Sequence, residues 1–357
     1  MNARSVQWRH GETGLALVSV LWAIVLLTIM AGSFSLSLQR DTNLVKFNED
    51  RARGAALADA AVHYAMLKVS APATPVPQGL QQTPQQGKWR TDGFPCPVQL
   101  PDGEAVVQIF DEGGKVNLNM LANAAGYPVL RTVLAQVFDG DQERADSYAD
   151  AIIDWVDPDQ FSRPLGAEAG EYERANKGYV PPDREFQALE ELLMVIVNKE
   201  TGETLSPKMY RKLEPILTIY PTATAGVNIG KASRAALTAL PLQCMEASAA
   251  AQHWQMRGNS CFELPLAQQQ VMPVVQAPAG MQLPGRVACA QGNSPGQVFT
   301  IYASSKTSEG QTTSVKAVVA RRPNQVNNGS PFTFLSWKQL PSALADGAEQ
   351  MQMFPSP

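Results

Sequence analysis

Gly14-Leu15-Ala16-Leu17-Val18-Ser19-Val20-Leu21-Trp22 opens a run that continues to Leu38 without one charged residue. A helix of that length, rising 1.5 Å per residue, crosses the roughly 30 Å of bilayer hydrocarbon. Arg4, Arg9 and His10 precede the run with a single acid, Glu12. The positive-inside rule therefore leaves this leader cytoplasmic and sends everything beyond Arg40 across the membrane. A secretory signal has a shorter apolar core followed by a small-residue cleavage site; Ala31-Gly32-Ser33 is the one place that keeps this competing reading open.

The helical pattern continues past Arg40. Ala55, Ala58, Val62, Ala65 and Val69 recur in steps of three and four, with Arg51, Arg53, Asp59 and Lys68 elsewhere, so one helix is expected from about Leu15 to Val69. It is apolar all round in its first half and amphipathic in its second, the pattern of a helix that spans a membrane and then lies on a folded domain. Residues 71–86 are rich in Pro, Gln and Thr without a period, and read as a loop. Glu104 to Phe110 reads as a strand, Asp111-Glu112-Gly113-Gly114 as a turn whose glycines permit positive φ, and Val116 to Leu118 as extended again.

From Met120 to about Leu217 the signals are helical. Ala145, Tyr148, Ala149, Ile152, Ile153 and Val156 share one face, and Leu189, Leu192, Leu193 and Ile196 predict a second helix from Phe186 to Val197. Asp139 and Asp141 are expected to cap the helix that follows them. Val116-Asn117-Leu118-Asn119 is echoed by Val227-Asn228-Ile229-Gly230, each opening a small apolar helix that asparagine can cap. Val298 to Ser304, Thr312 to Arg321 and Phe332 to Trp337 then read as an antiparallel meander.

With 45% hydrophobic and 17% charged residues and a net charge of -4, the 357-residue chain can bury sizeable cores and has no basic excess for nucleic acid. Cys96, Cys244, Cys261 and Cys289 all follow the membrane segment, where an oxidising compartment lets them pair. Three pairings are possible; the shortest loop favours Cys244 with Cys261 and Cys96 with Cys289. Enzyme readings find little support. Gly292-Asn293-Ser294-Pro295-Gly296 fits G-x-S-x-G, yet Pro295 opposes the strand-turn-helix elbow and no histidine follows Ser294. His10, His63 and His253 have no partner at ligand spacing.

The glycine followed by L-A-L-V-S-V-L-W, then D-E-G-G-K-V-N-L-N, D-W-V-D-P-D, F-Q-A-L-E-E-L and V-N-I-G in that order, resembles protein K of the type II secretion system, the K-type minor pseudopilins. The resemblance implies an α+β pseudopilin fold, a long N-terminal helix on an antiparallel sheet, with an inserted SAM-like all-helical domain. It divides the chain into a leader (1–14), a transmembrane segment (15–38), a periplasmic helix, loop and first strands (39–118), the inserted helical domain (119–240) and a C-terminal β part (241–357). It implies cleavage between Gly14 and Leu15 by a prepilin peptidase, methylation of the new terminus at Leu15, and a single-pass inner-membrane protein with its bulk in the periplasm.

Most pseudopilins carry glutamate at the fifth mature position, where this chain has Ser19. A buried carboxylate can neutralise a neighbouring subunit's amine, and an unpaired charge in an apolar fibre is costly. A chain without it, and with a bulky insertion, suits the fibre tip. There it would initiate assembly with I- and J-type minor pseudopilins and other pseudopilins, and meet the secretin or cargo. Acids between Asp157 and Asp183, namely Asp157, Asp159, Glu168, Glu171, Glu173 and Asp183, read either as solvated loop residues or as calcium ligands; calcium takes six to eight oxygens. The resemblance implies calcium, and the loop acids expected to hold it are Asp157, Asp159, Glu168, Glu171 and Asp183. The competing functional class is a membrane-tethered periplasmic hydrolase or cargo-binding domain unrelated to fibres.

Overall fold

A computed structural model describes residues 13–70, 88–221, 226–245, 247–263, 285–290, 297–322 and 331–340. The expected loop at 71–86 and the G-x-S-x-G stretch lie outside them. Helix α1 runs unbroken from Thr13 to Ser70 and is long and apolar enough to cross a membrane. Strands β1 (Cys96–Leu100) and β2 (Gly103–Asp111) form a hairpin. A short 3-10 turn, Glu112–Gly114, leads to β3 (Val116–Asn117).

A largely helical module follows: α2 (Leu118–Leu121), α3 (Tyr127–Val137), α4 (Gln142–Asp154), α5 (Ala169–Arg174), β4 (Ile196–Asn198), β5 (Glu203–Thr204), α6 (Pro207–Leu213), β6 (Leu217–Thr218), β7 (Val227–Asn228), α7 (Arg234–Ala239), α8 (Ala247–Gln255) and β8 (Cys289–Ala290). The chain then completes the sheet with β9 (Val298–Thr307), β10 (Thr312–Arg321) and β11 (Phe332–Leu340).

The sheet has order β1-β2-β9-β10-β11, every pair antiparallel. Its register explains the core. Ala105, Val107 and Ile109 of β2, Phe299, Ile301 and Ala303 of β9, and Val315, Ala317 and Val319 of β10 alternate onto one face. Ala58, Ala61, Val62, Ala65 and Val69 of α1 close that face, all fully buried. The residues between them, Gln108, Thr300, Ser304 and Ser314, are also buried but polar, and share their face with Phe110, Tyr302 and Val318, so the sheet presents one apolar and one mixed face.

The helical module has a separate core. Val129, Leu130, Val133 and Leu134 of α3 meet Ala145, Tyr148, Ala149 and Ile152 of α4, with Trp155, Tyr172 and Leu192 fully enclosed. Between the two cores runs a seam of ion pairs. Lys316 of β10 reaches Glu190 at 3.3 Å and also pairs with Glu214; Lys338 of β11 reaches Glu190 at 2.7 Å. Glu112 accepts from Lys115 and from Thr300 Oγ1, both at 2.7 Å. Burial pushes Glu190 up, but the Lys316 and Lys338 charges prevail and hold it at about 2.

Several sequence expectations need correction. The inserted module is not all helical: β3 with β6, β4 with β5 and β7 with β8 form two-stranded ladders. Its core extends beyond the expected 119–240, from Val116 to Leu242, Cys244 and Val287. The second predicted helix, Phe186 to Val197, is a 3-10 segment over Leu189–Met194 followed by β4, because the backbone turns extended at Val195. Gly114 is required not by positive φ but by close approach, since a Cβ there would lie 2.5 Å from the Lys231 carbonyl oxygen. Asn117 does cap α2, but Ser233, not Asn228, caps α7, and Asp141 alone caps α4 while Asp139 adopts a φ of 58°.

The disulfides join Cys96 to Cys261 and Cys244 to Cys289, the pairing opposite to the shortest-loop expectation. Helix α8 lies between Cys244 and Cys261 and rises about 13 Å along its nine residues. The β7–β8 ladder places Cys289 opposite Val227 at the helical core, and the Arg90 N–H donates to the Cys261 carbonyl at 2.9 Å beside β1.

Removing Lys316, the cation shared by Glu190 and Glu214, leaves Glu190 to Lys338 alone and leaves buried Glu214 without a paired cation among the described residues. Lys316→Met is expected to lower unfolding free energy by about 3 kcal/mol, whereas Arg53→Met, which breaks an exposed pair with Glu49, should cost under about 0.5 kcal/mol. Urea titration of both variants measures the difference.

Candidate cation site and membrane stem

Asp154 ends α4, whose Asp146, Asp150 and Asp154 recur every four residues along one face. One turn beyond, Asp157 follows, and the next segment returns so that Glu168, at the N-cap of α5, faces both. One carboxylate oxygen from each of Asp154, Asp157 and Glu168 lies within 4.8 Å of the others. Asp154 and Glu168 are buried. Asp154 Oδ1, Asp157 Oδ1 and both oxygens of Glu168 have no hydrogen-bond partner among the described residues.

The surroundings hold this trio together without neutralising it. Asp154 Oδ2 accepts the Arg163 N–H at 3.0 Å, while the Arg163 side chain stays 3.8 Å from Oδ1. Gly166 packs so closely that a Cβ there would collide with the Asp154 carboxylate. Trp155 and Tyr172 form the adjoining apolar wall, with ring centroids 5.8 Å apart. Burial and then the neighbouring Asp157 charge push Asp154 up to about 7; burial and the charges of Asp154 and Asp157 push Glu168 up to about 8. Asp157 is raised by burial and by Asp159.

Three converging, all-oxygen donors with unpaired lone pairs suit a hard cation and not a soft one. The site revises the set expected from sequence. Asp157 and Glu168 are brought together, and Asp154 joins them. Asp159 and Asp183 lie near enough for their charges to raise Asp157 and Glu168, while Asp159 accepts the Phe161 N–H at 2.9 Å and Asp183 accepts from Gln160 at 3.1 Å; Glu171 serves the Glu168 N–H at 3.0 Å and pairs with Arg174. Asp154 was visible in D-W-V-D-P-D only as the last polar position of an amphipathic helix. Gly166 was the signal that could have marked it.

The second functional feature is the stem. Gly14 and Leu15 lie in the first turn of α1, and Ser19 sits on an exposed stretch of it. Leu17, Leu21, Trp22, Leu26, Leu27 and Met30 are all more than half exposed, an arrangement that water does not favour and lipid does. A depression of about 640 Å³ between α3 and the segment after α7, lined by Tyr127, Arg131, Thr132, Thr238, Leu240 and Arg286, contains no carboxylate, histidine or cysteine.

Residues 114–222 match the family described as "Type II secretion system (T2SS), protein K". A protein of Escherichia coli (strain K12) named for protein K of the same system is 26% identical over 231 residues, covering 61% of this chain and 65% of that one. The type II secretion system protein K of Pseudomonas aeruginosa is 25% identical over 250 residues, covering 65% and 69%. Among solved structures, a chain of the GspK-GspI-GspJ complex from the enterotoxigenic Escherichia coli type 2 secretion system superposes with a TM-score of 0.51 at 17% identity, over 82% of this chain and 98% of that one. At that identity the likeness concerns the fold.

Carboxyls whose folded pKa is raised support stability fully below their unfolded values near 4, and that support is lost as pH rises through about 7 for Asp154 and about 8 for Glu168. With chelator present, the Tm of the wild-type chain should therefore fall between about pH 5 and about pH 8.5 more steeply than that of Asp154→Asn/Glu168→Gln. Parallel slopes in differential scanning calorimetry would contradict the assignment.

Proposed function

We propose that this chain, which belongs to the type II secretion system protein K family, works as a minor pseudopilin at the tip of the secretion pseudopilus. There it initiates fibre assembly with I- and J-type minor pseudopilins, for export of folded proteins across the outer membrane. The observation that carries the reading is the combination of one helix, α1, that is apolar along its first half and closes a sheet with its second, and a large module inserted between β2 and β9 of that sheet. The stem supplies what every subunit of a helical-stem fibre needs. The inserted module supplies bulk that further stacking cannot pass.

Ser19 fits the same place. A subunit in the body of the fibre needs a carboxylate near its amino terminus to pair a neighbour's buried amine; a hydroxyl pays no such charge back. A terminal subunit has no subunit above it to pair. The chain is held in the inner membrane with its leader cytoplasmic, is cut between Gly14 and Leu15 by a prepilin peptidase, and is methylated at Leu15. Its role is assembly and not catalysis.

Asp154, Asp157 and Glu168 hold calcium. A divalent cation there replaces mutual repulsion among three carboxylates with attraction, and fixes the loop from Asp157 to Glu168 against α4. Because the ligands must be ionised, affinity rises with pH through the same range in which the cation-free site weakens.

Mass spectrometry of the chain from membranes tests the stem: the expected species begins at methylated Leu15. An intact leader, or a terminus after Ala31 or Gly32, would favour a plain anchor or a cleaved signal and remove the pseudopilin reading. Co-purification of I- and J-type pseudopilins with the full chain tests the partners, and its failure at micromolar concentration would remove the tip assignment. Saturating calcium should raise the Tm of the wild-type chain at neutral pH, with magnesium doing less, and leave Asp154→Asn/Glu168→Gln unmoved. An equal calcium shift in that variant would place the ion elsewhere.

A further inference from the structure

The stretch from Cys244 to Cys261 begins in one core and ends in the other. Cys244 is buried in the helical core, bonded to Cys289, which packs against that same core. Trp254 of α8 packs there too. Beyond α8 the chain changes sides. Cys261 and Phe262 lie against the sheet core, Phe262 bridges Trp89, and Cys261 is bonded to Cys96 on edge strand β1. The Glu263 N–H donates to the Lys88 carbonyl at 2.8 Å, continuing the same contact.

A polar clasp fastens the crossing. Asp92, 4% exposed, accepts from Arg90 Nη2 and from Arg257 Nη1, both at 2.7 Å. Arg257 also donates to the Ala232 carbonyl at 2.9 Å and to the Ile229 carbonyl, so one guanidinium ties the helical module to the segment beside β1. Arg90 donates to the Gly258 carbonyl at 2.6 Å, and its guanidinium lies over the Phe94 and Trp254 rings.

Elsewhere the boundary between the cores carries ion pairs, Lys316 and Lys338 of the sheet with Glu190 and Glu214 of the module. Such pairs roughly balance their own desolvation and give little net adhesion, unlike an apolar interface, and polar interfaces between compact units leave them free to move. The chain itself crosses the boundary between α8 and Cys261, and whether the module stays put then depends on how the two ends of that crossing are held. Of the two disulfides, Cys244–Cys289 holds the near end within the helical core, and Cys96–Cys261 holds the far end on the sheet.

We propose that residues 244–261 form a covalent strap that fixes the orientation of the helical module on the sheet, with the Cys96–Cys261 bridge as its closing bond. Closing converts two thiols to one disulfide and passes two electrons and two protons to a disulfide oxidant, the class of reactant an oxidising compartment supplies. Opening the bond frees the module as a body and leaves both cores folded.

Hydrogen exchange read by mass spectrometry on the full chain in detergent tests this. In Cys96→Ser/Cys261→Ser, exchange should speed up by about tenfold or more in residues 88–93 and 256–263, while α3, α4, β9 and β10 keep their protection. Cys244→Ser/Cys289→Ser, whose bridge lies within the module, should leave residues 88–93 at the wild-type rate. If the first variant does not fold, dithiothreitol added to the folded second variant opens Cys96–Cys261 alone and gives the same readout. Unchanged exchange at the crossing, loss of protection throughout both cores, or equal loosening in the two variants would each overturn the strap.

Discussion

The packing of small residues on α1 against the sheet is the constraint on which the other parts depend. Ala58, Ala61 and Ala65 have no side chain beyond Cβ and are fully buried in one core with Val107, Ile301 and Ala317, to which Val62 and Val69 add bulk. Alternation along each strand then commits the other face. Gln108, Thr300, Ser304 and Ser314 are turned away from α1, and polar groups that are buried need partners. Gln108 donates to the Gly93 carbonyl at 3.1 Å, Ser304 and Ser314 share a hydrogen bond of 3.0 Å, and Thr300 donates to Glu112 in the turn after β2; Lys316, on the same face, finds Glu190 and Glu214 of the inserted module. The ionic seam is thus a consequence of the helix having taken the apolar face.

The acid trio follows the opposite logic. Trp155 and Tyr172 make its wall apolar, and Gly166 brings backbone against Asp154, so the carboxylates lose water without gaining a full counter-charge. Arg163 stands at the rim of the cluster, too far from Asp154 Oδ1 for a hydrogen bond. A stable fold gains nothing from three such acids by themselves, which is the physical ground for reading them as ligands.

What the sequence made legible was what has a period. The step of three and four over Ala55 to Val69 and the face over Ala145 to Val156 became α1 and α4, and the three late strands became β9, β10 and β11 with ends shifted by a few residues. Strand β1 was missed because Pro97 interrupts its short pattern. Leu189 to Met194 has helical spacing but tightens to 3-10 and stops, a choice made by the β4–β5 ladder and not by local preference. Cysteine pairing failed for a different reason: loop length ranks closures of a free chain, whereas in the folded chain Cys244 lies in the helical core beside Cys289 and Cys261 lies against the sheet core beside Cys96. Asp154 was in view but unassigned, since the two other members of the trio come from after the helix ends.

Strands β2 and β9 are neighbours in the sheet, yet the whole helical module separates them in the chain. Pairing Val107 with Ala303 must wait until that module has become compact enough to bring its two ends together, which makes sheet closure a late, high-contact-order event. Until then the alanine stripe of α1 and the open edge of β2 stand uncovered. Both are surfaces through which an incompletely folded chain associates with others, so the insertion that gives the module its place in the chain also prolongs the interval in which the sheet is exposed.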